Sequence, residues 1–348
     1  MLTNRLRKTV HKIAFYILSL LCTNTSFALP DGYKDRYIGD FRYGLFVPPN
    51  FDPSVKYHLI LYLHGYTDTT SWDFQWYSEE FQSKFPTLVL TPKCLVTYTD
   101  GWGNSWDMTE SYAMKMAFRA LDSTLKYYTI DTTRMHICGT SMGGFGTFYV
   151  LARYPGKFAS AYAICGGGNP ASASLLKNTP LWIFHGDADP TVPVSSSRNI
   201  FNALLEAGST QVRYTEYPGV QHNSWENAGR ESTLDPWLFS QQLGSVHGNP
   251  EPVKSFTGAL NEDHKPVLKW EPPADQSTED KRIWCYRIYR DAERIAVLDK
   301  DSLAFTDYKV ADDTEYTYSI RTVNYFFNES EASTGIAFYV RPAALKRK

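Results

Sequence analysis

Met135-His136-Ile137-Cys138-Gly139-Thr140-Ser141-Met142-Gly143-Gly144-Phe145-Gly146-Thr147-Phe148 is the stretch that decides how this chain folds. Its first four residues form an apolar run of strand length, closed by Gly139, and the residues after Gly143 read as the start of a helix. Between them a serine stands in the pattern G-x-S-x-G. A strand-to-helix turn this tight admits only small neighbours, which is why glycine flanks Ser141 on both sides. Such an elbow lifts the hydroxyl above the edge of a sheet and sets it at a helix N-terminus, where the dipole favours developing negative charge. Glycine and serine are common in loops, so the pattern draws its weight from the strand before it and the helix after it.

Working outward, strand-like and helix-like segments alternate from about Tyr33 to Gln242. Leu59 to Leu63, Thr87 to Leu90, Met135 to Cys138, Ala161 to Cys165 and Leu181 to Phe184 are short apolar runs, most of them closed by glycine. Runs of this kind suit parallel strands covered by helices on both faces. Met114, Phe118, Leu121 and Leu125 recur at helical spacing, as do Ile200 and Leu204 before Gly208, a C-cap candidate. The expected fold is therefore α/β with a mostly parallel sheet, and its reactive residues belong at the carboxyl edge.

A serine hydroxyl is a weak nucleophile until a base, held by a third group, takes its proton. On an elbow of this type the partners follow in the order serine, acid, histidine. Asp189 follows the Leu181 to Phe184 strand in His185-Gly186-Asp187-Ala188-Asp189-Pro190-Thr191-Val192-Pro193. His222 follows the strand Val212 to Tyr217 in Tyr217-Pro218-Gly219-Val220-Gln221-His222-Asn223-Ser224-Trp225. Asp187 competes for the role of acid, although a turn carboxylate commonly bonds its own loop amides. His185 and His64 compete for the role of base, but both sit beside a glycine at a strand end, a place where histidine usually braces loop backbone. Asp189 and His222 are preferred.

After Gly244 the pattern changes. A linker over 245–252, with Gly248, Pro250 and Pro252, leads to alternating or apolar segments at Leu268 to Trp270, Ile283 to Tyr289, Ile295 to Leu298 and Tyr316 to Val323. No amphipathic helix interrupts them, so 253–342 is expected to be an all-β sandwich. It resembles a fibronectin type III domain in Leu268-Lys269-Trp270-Glu271-Pro272-Pro273, Tyr286-Arg287-Ile288-Tyr289-Arg290 and Tyr316 to Asn324, with Trp270 as the core tryptophan and Tyr316 or Tyr318 as the late-strand tyrosine.

The totals are those of an ordinary globular chain: 43% hydrophobic, 21% charged and a formal net charge of −2 over 348 residues. That balance lacks the concentrated basic face that nucleic-acid binding needs. At the N-terminus Arg5, Arg7, Lys8 and Lys12 precede the apolar stretch Ile13 to Leu21 and then Ser26-Phe27-Ala28. This is the pattern of a signal peptide over 1–28, cleaved after Ala28, and it is too short to span a bilayer. Lipidation at Cys22 is the alternative, with Leu21 a poor fit before it. A secreted or periplasmic protein is expected. Cys94, Cys138, Cys165 and Cys285 remain after cleavage, match no zinc spacing and are read as buried free thiols.

At the triad residues a family becomes recognisable. Tyr33 to Gln242 (within an expected domain of 29–244) resembles the esterase, dienelactone hydrolase and prolyl oligopeptidase branch of the α/β-hydrolases. Within it, the resemblance is greatest to secreted feruloyl and acetylxylan esterases. Leu63-His64-Gly65-Tyr66, the Ser141 elbow, H-G-D-x-D-x-x-V-P and the segment from Tyr217 to Trp225 carry the likeness. The resemblance implies a Ser141–His222–Asp189 triad and an oxyanion hole made by the backbone N–H groups of Met142 and Tyr66. Trp102 and Trp225 are candidates for an aromatic wall around the substrate. The chemistry calls on no metal or organic cofactor, and the implied substrate is a small ester or an acylated polysaccharide, with the C-terminal domain as a spacer or as a unit docking to a surface or polysaccharide. A short-peptide peptidase is the first rival; the propeller usual in its larger relatives does not fit in the roughly thirty residues between Ala28 and Tyr57. The second rival is a binding module with an inactive hydrolase domain, and the intact set of triad residues speaks against it.

Overall fold

The computed structural model describes residues 29–66, 75–95, 101–245, 247–278, 280–326 and 328–341. The expected signal peptide, with Cys22, lies outside them. The five apolar runs read between Leu59 and Phe184 all fall in one eight-stranded sheet. Its strands are β1 (Tyr33–Ile38), β2 (Phe41–Phe46), β3 (Tyr57–Leu63), β4 (Thr87–Pro92), β5 (Ile130–Thr140), β6 (Ser160–Ile164), β7 (Leu181–Gly186) and β8 (Val212–Tyr217), in the spatial order β1-β2-β4-β3-β5-β6-β7-β8. From β4 to β8 all neighbours are parallel, while β1 and β2 add an antiparallel edge. That edge hairpin was not read from the sequence, because exposed Lys34 and Asp35 interrupt its apolar pattern.

All seven residues of β3 are buried, and they alternate between two apolar layers. Leu59, Leu61 and Leu63 join one layer, and Ile60 and Tyr62 the other. Seven helices accompany the sheet among the described residues: α1 (Glu79–Lys84), α2 (Tyr112–Tyr127), α3 (Met142–Arg153), α4 (Ala173–Leu176), α5 (Ser195–Glu206), α6 (Trp225–Ala228) and α7 (Leu234–Ser240). In α2 the Ser111 hydroxyl accepts the Met114 N–H at 3.1 Å, a cap that leaves Met114 and Leu121 buried and Phe118 and Leu125 packed against the same layer. Helix α5 buries Ile200 and Leu204 and ends before Gly208, whose φ of +84° only glycine adopts readily. Strand β4 lies on one side of β3 and β5 on the other, so the chain reverses its direction of travel there. A crevice opens at the carboxyl edge of such a switch point.

The C-terminal region folds into antiparallel sheets only. One has the order β13-β10-β9, from β9 (Ser255–Leu260), β10 (Pro266–Glu271) and β13 (Ala304–Thr306). The other has the order β12-β11-β14-β15, from β11 (Ile283–Arg290), β12 (Glu293–Asp299), β14 (Thr314–Asn324) and β15 (Ile336–Val340). Leu268, Trp270, Tyr286, Ile288, Tyr318 and Ile320 fill the space between them. Trp284, Cys285, Val323 and Tyr325 leave that core and join the second layer of the large sheet, beside Trp182 and Trp237. The Arg213 guanidinium from β8 lies between the Trp182 and Trp284 rings, 3.7 and 3.4 Å from their centroids. A desolvated pair of this kind is worth ~2 kcal/mol.

Beneath the same layer runs a buried polar chain. His58 Nδ1–H donates to His136 Nε2 at 3.1 Å, His136 Nδ1–H to Ser160 Oγ at 2.8 Å, and the Ser160 hydroxyl to the Leu238 carbonyl at 3.2 Å. Phe239 sets its edge against both rings. Burial lowers the His58 pKa to about 4 and holds His136 well below its ordinary value. The neutral rings are the folded form, so their stabilisation is complete above about pH 6.5 and is lost as pH falls toward 4. For one group depressed this far the loss is roughly 2–3 kcal/mol. Urea unfolding at pH 7 and pH 4.5 should show it, and His136→Gln, which cannot take up a proton, should flatten that pH dependence. An unchanged dependence in the variant would remove His136 as a cause.

Candidate active site

The elbow comes first. Ser141 holds φ 54° and ψ −115°, outside the regions open to most residues, and its N–H donates to the Ile164 carbonyl at 2.8 Å. A side chain on Gly139 would collide with the Gly143 carbonyl, and one on Gly143 with the Leu63 carbonyl. The turn therefore brings the end of β3 against the start of α3. Met142 N–H, in the first turn of α3, has no partner within the helix. Gly65 faces Ser141, since a Cβ built on it would lie 3.6 Å from the serine Cβ. Tyr66, the next residue, is exposed.

The three sequence candidates meet at this edge. His222 Nε2 lies 2.9 Å from Ser141 Oγ, and His222 Nδ1 lies 2.7 Å from Asp189 Oδ2. The other oxygen, Asp189 Oδ1, accepts the N–H groups of Thr191 and Val192 at 2.8 and 2.9 Å. Burial works to raise the Asp189 pKa, but the bonds from His222, Val192 and Thr191 outweigh it and hold the carboxyl below its ordinary value. A charged acceptor at Nδ1 leaves the Nε2 lone pair turned toward the hydroxyl. That arrangement allows proton abstraction from serine.

The competitors have other tasks. Asp187 accepts the Gly219 N–H at 2.6 Å and ties the turn after β8 to the loop after β7. His64 is buried: Nδ1–H donates to the Gly65 carbonyl at 2.6 Å and Nε2 accepts the Cys94 N–H at 2.9 Å. It braces the loop that carries Tyr66. His185 is buried too, with Nδ1 2.7 Å from Ser197 Oγ, and Nε2 3.0 Å from the Val192 carbonyl and 3.3 Å from Asp189 Oδ2. It stands behind the acid.

Of the two tryptophans expected to wall the substrate, the structure removes one. Trp102 is 1% exposed, donates from Nε1 to the His64 carbonyl at 2.9 Å and sets its ring against His64. It supports the Tyr66 loop from below, because the loop over 101–103 turns its side chain inward. Trp225 stands at the site, edge-on to the His222 ring at 5.6 Å. It lines a cavity of about 310 Å³ with Thr140, Tyr162, Trp76, Leu234 and Asp235.

Two neighbours were not read from the sequence as site residues. Asp235 accepts from Trp76 Nε1 at 3.1 Å and from the Gln75 amide, and burial raises its pKa. Its signal was faint, a single acid in the apolar stretch Leu234 to Phe239. Cys165 sits at φ 41° behind the His222–Asp189 pair. Burial raises its pKa to about 12, which keeps the thiol neutral. All four described cysteines are free and buried, as the sequence reading has it.

The carboxylate geometry yields a paired test. Labelling of Ser141 by a fluorophosphonate probe should slow by 10³-fold or more in Asp189→Asn, where the wrong histidine tautomer is held. Asp187→Asn should label within about threefold of the parent. Equal losses in both variants would contradict the assignment of Asp189 as the orienting group.

Residues 105–230 match the Phospholipase/Carboxylesterase family. The chain is 28% identical to a bifunctional acetylxylan esterase/xylanase of Neocallimastix patriciarum over 148 residues, covering 42% of this chain and 21% of that protein. It is 25% identical to a probable dipeptidyl-peptidase 5 of Aspergillus terreus over 273 residues, covering 65% and 36%. Among solved structures it is similar to a thermostable esterase at 30% identity and a TM-score of 0.56, over 61% of this chain and 64% of that one. The chain thus spans about a fifth to a third of the length of these curated relatives. With a mostly parallel sheet and a fold similar to that esterase's, the chain is an α/β-hydrolase, of the class that holds serine esterases and peptidases.

Proposed function

We propose that this protein is an exported carboxylic ester hydrolase that works through a Ser141 acyl-enzyme, with acyl esters of carbohydrate as its substrate class. One observation carries the reading: Ser141, His222 and Asp189 are joined in a single hydrogen-bonded line at 2.9 and 2.7 Å. In this scheme His222 takes the serine proton as the hydroxyl adds to the ester carbonyl. The oxyanion is held by the N–H groups of Met142 and Tyr66, each worth ~3 kcal/mol of barrier. Collapse of the tetrahedral adduct expels the alcohol, which receives the proton from His222. Water then gives a proton to the same imidazole as its oxygen adds to the acyl carbon, and collapse releases the acid while Ser141 Oγ takes the proton back from His222.

The carbohydrate part of the reading draws support from the similarity to an acetylxylan esterase/xylanase. Export draws support from the N-terminal pattern over 1–28, and no described helix is long and apolar enough to cross a membrane. A peptidase reading is favoured by the similarity to a dipeptidyl-peptidase. The two separate in a rate comparison. The parent should hydrolyse p-nitrophenyl acetate and methyl ferulate faster than dipeptidyl p-nitroanilides. Ser141→Ala should lower ester turnover by ~10⁴-fold or more. Preferential cleavage of the anilides, or ester turnover surviving in the variant, would overturn the proposal.

A further inference from the structure

Ser141 stands on the ridge between the two apolar layers. The cavity beside it belongs to the layer of Tyr62, Trp76 and Tyr162. Across the ridge, α3 covers the other layer and brings Phe145 one helical turn past the nucleophile, its N–H donating to the Ser141 carbonyl at 3.1 Å. The Trp106 ring leans on Phe145, 6.1 Å between centroids at an interplanar angle of 39°. Trp106 is 57% exposed, although Trp102 of the same loop is sealed in the core.

The loop that presents this indole is cross-braced. Asn104 and Thr109 pair as a bridge, Asn104 Oδ1 accepts the Trp106 N–H at 2.9 Å, and Asp107 Oδ1 accepts the Thr109 N–H at 2.9 Å. At its base the Ser111 hydroxyl donates to the Gly101 carbonyl at 2.8 Å. An aromatic ring already held in place gives contact area at low entropic cost on binding. Keeping it exposed has no folding benefit, since the hydrophobic effect favours its burial.

The two flanks of Ser141 differ in what they can hold. The cavity, lined by Trp76, Leu234 and Asp235 among others, has a volume of about 310 Å³, room for a small acyl group. A polymer must leave the site at both ends, which an exposed ledge permits and a cavity of that volume does not. We propose that Trp106, backed by Phe145, is the ledge on which the sugar backbone of an acylated neutral polysaccharide lies, with the ester's acyl group in the cavity across the ridge. The inference rests on the esterase reading above and extends it. Apolar C–H faces of a pyranose ring pack on an indole, while its hydroxyls can reach the Asn104 and Asn169 side chains, which bond the Trp106 backbone. Exposed Asp107, the next residue, places negative charge beside Trp106, which disfavours polyuronates.

The experiment compares the parent with Trp106→Ala and Trp106→Tyr on p-nitrophenyl acetate and on three polymers: acetylated xylan, acetylated glucomannan and feruloylated arabinoxylan. Trp106→Ala should keep kcat/KM on the small ester within twofold. On at least one polymer it should lose tenfold or more, mostly in KM, with Trp106→Tyr recovering most of the loss. Parallel loss on the small ester, or no loss on any of the polymers, overturns the ledge. Binding separates this from the catalytic reading. In Ser141→Ala protein, retardation of migration through a gel containing the same polymers should persist and should vanish when Trp106→Ala is added. Retardation indifferent to Trp106 would overturn the ledge even if the enzyme is an esterase, and a Trp106-dependent retardation in a protein without esterase turnover would overturn the esterase reading alone.

Discussion

The backbone contact between the Leu63 carbonyl and Gly143 is the constraint from which the rest of the site follows. No side chain fits at Gly143 with β3 where it is. In exchange, the loop after β3 and the elbow after β5 become neighbours, because Leu63 is paired with Gly139 in the sheet. One strand end thus supplies the hydroxyl and the other its facing loop, and both are set by sheet register. Register is the most rigid feature an α/β fold offers, and a hole for a developing oxyanion has to be placed to within a fraction of an ångström.

Around that contact, histidine does two physically different things. His64, His136 and His185 are buried with both ring nitrogens committed to neighbours, and His58 is bonded to His136. Burial holds His58 and His136 neutral, so they act as oriented dipoles that satisfy buried polar groups. His222 is the one at the edge, 22% exposed, with a buried carboxylate behind it. It alone of these combines access to a substrate with a counter-charge for its protonated form. The difference lies in which loop holds each ring, since four of the five occur within strands or directly at their ends.

The sheet was legible because buried parallel strands must be apolar on both faces, and Leu59 to Leu63 or Leu181 to Phe184 cannot be read otherwise. The triad candidates were legible because the elbow demands glycines at 139 and 143 and because the acid and base follow strand ends. What stayed hidden was direction. Trp102 and Trp106 belong to one loop and look alike in the sequence, yet one is sealed under His64 and the other lies open. Linear pattern reports which residues sit in a loop, and only the loop's own hydrogen bonds decide which of them turns inward. Asp235 escaped for a related reason, as its partners Gln75 and Trp76 lie some 160 positions earlier.

The C-terminal domain was expected to follow a linker as a separate unit, and its packing argues for something tighter. Arg213 between Trp182 and Trp284, and Gln241 donating to the Tyr325 carbonyl at 2.9 Å, join the β-sandwich to the large sheet through a common apolar layer. Trp182 and Arg213 sit near the beginnings of β7 and β8, whereas Ser141, Asp189 and His222 gather beyond the strand ends. At ~3.3 Å per residue the four positions from Trp182 to Gly186 separate the junction from the edge by about 13 Å. The sandwich is therefore fixed to the sheet yet stands clear of the triad. The contacts that join this domain to the large sheet therefore lie at the opposite ends of β7 and β8 from Ser141, Asp189 and His222.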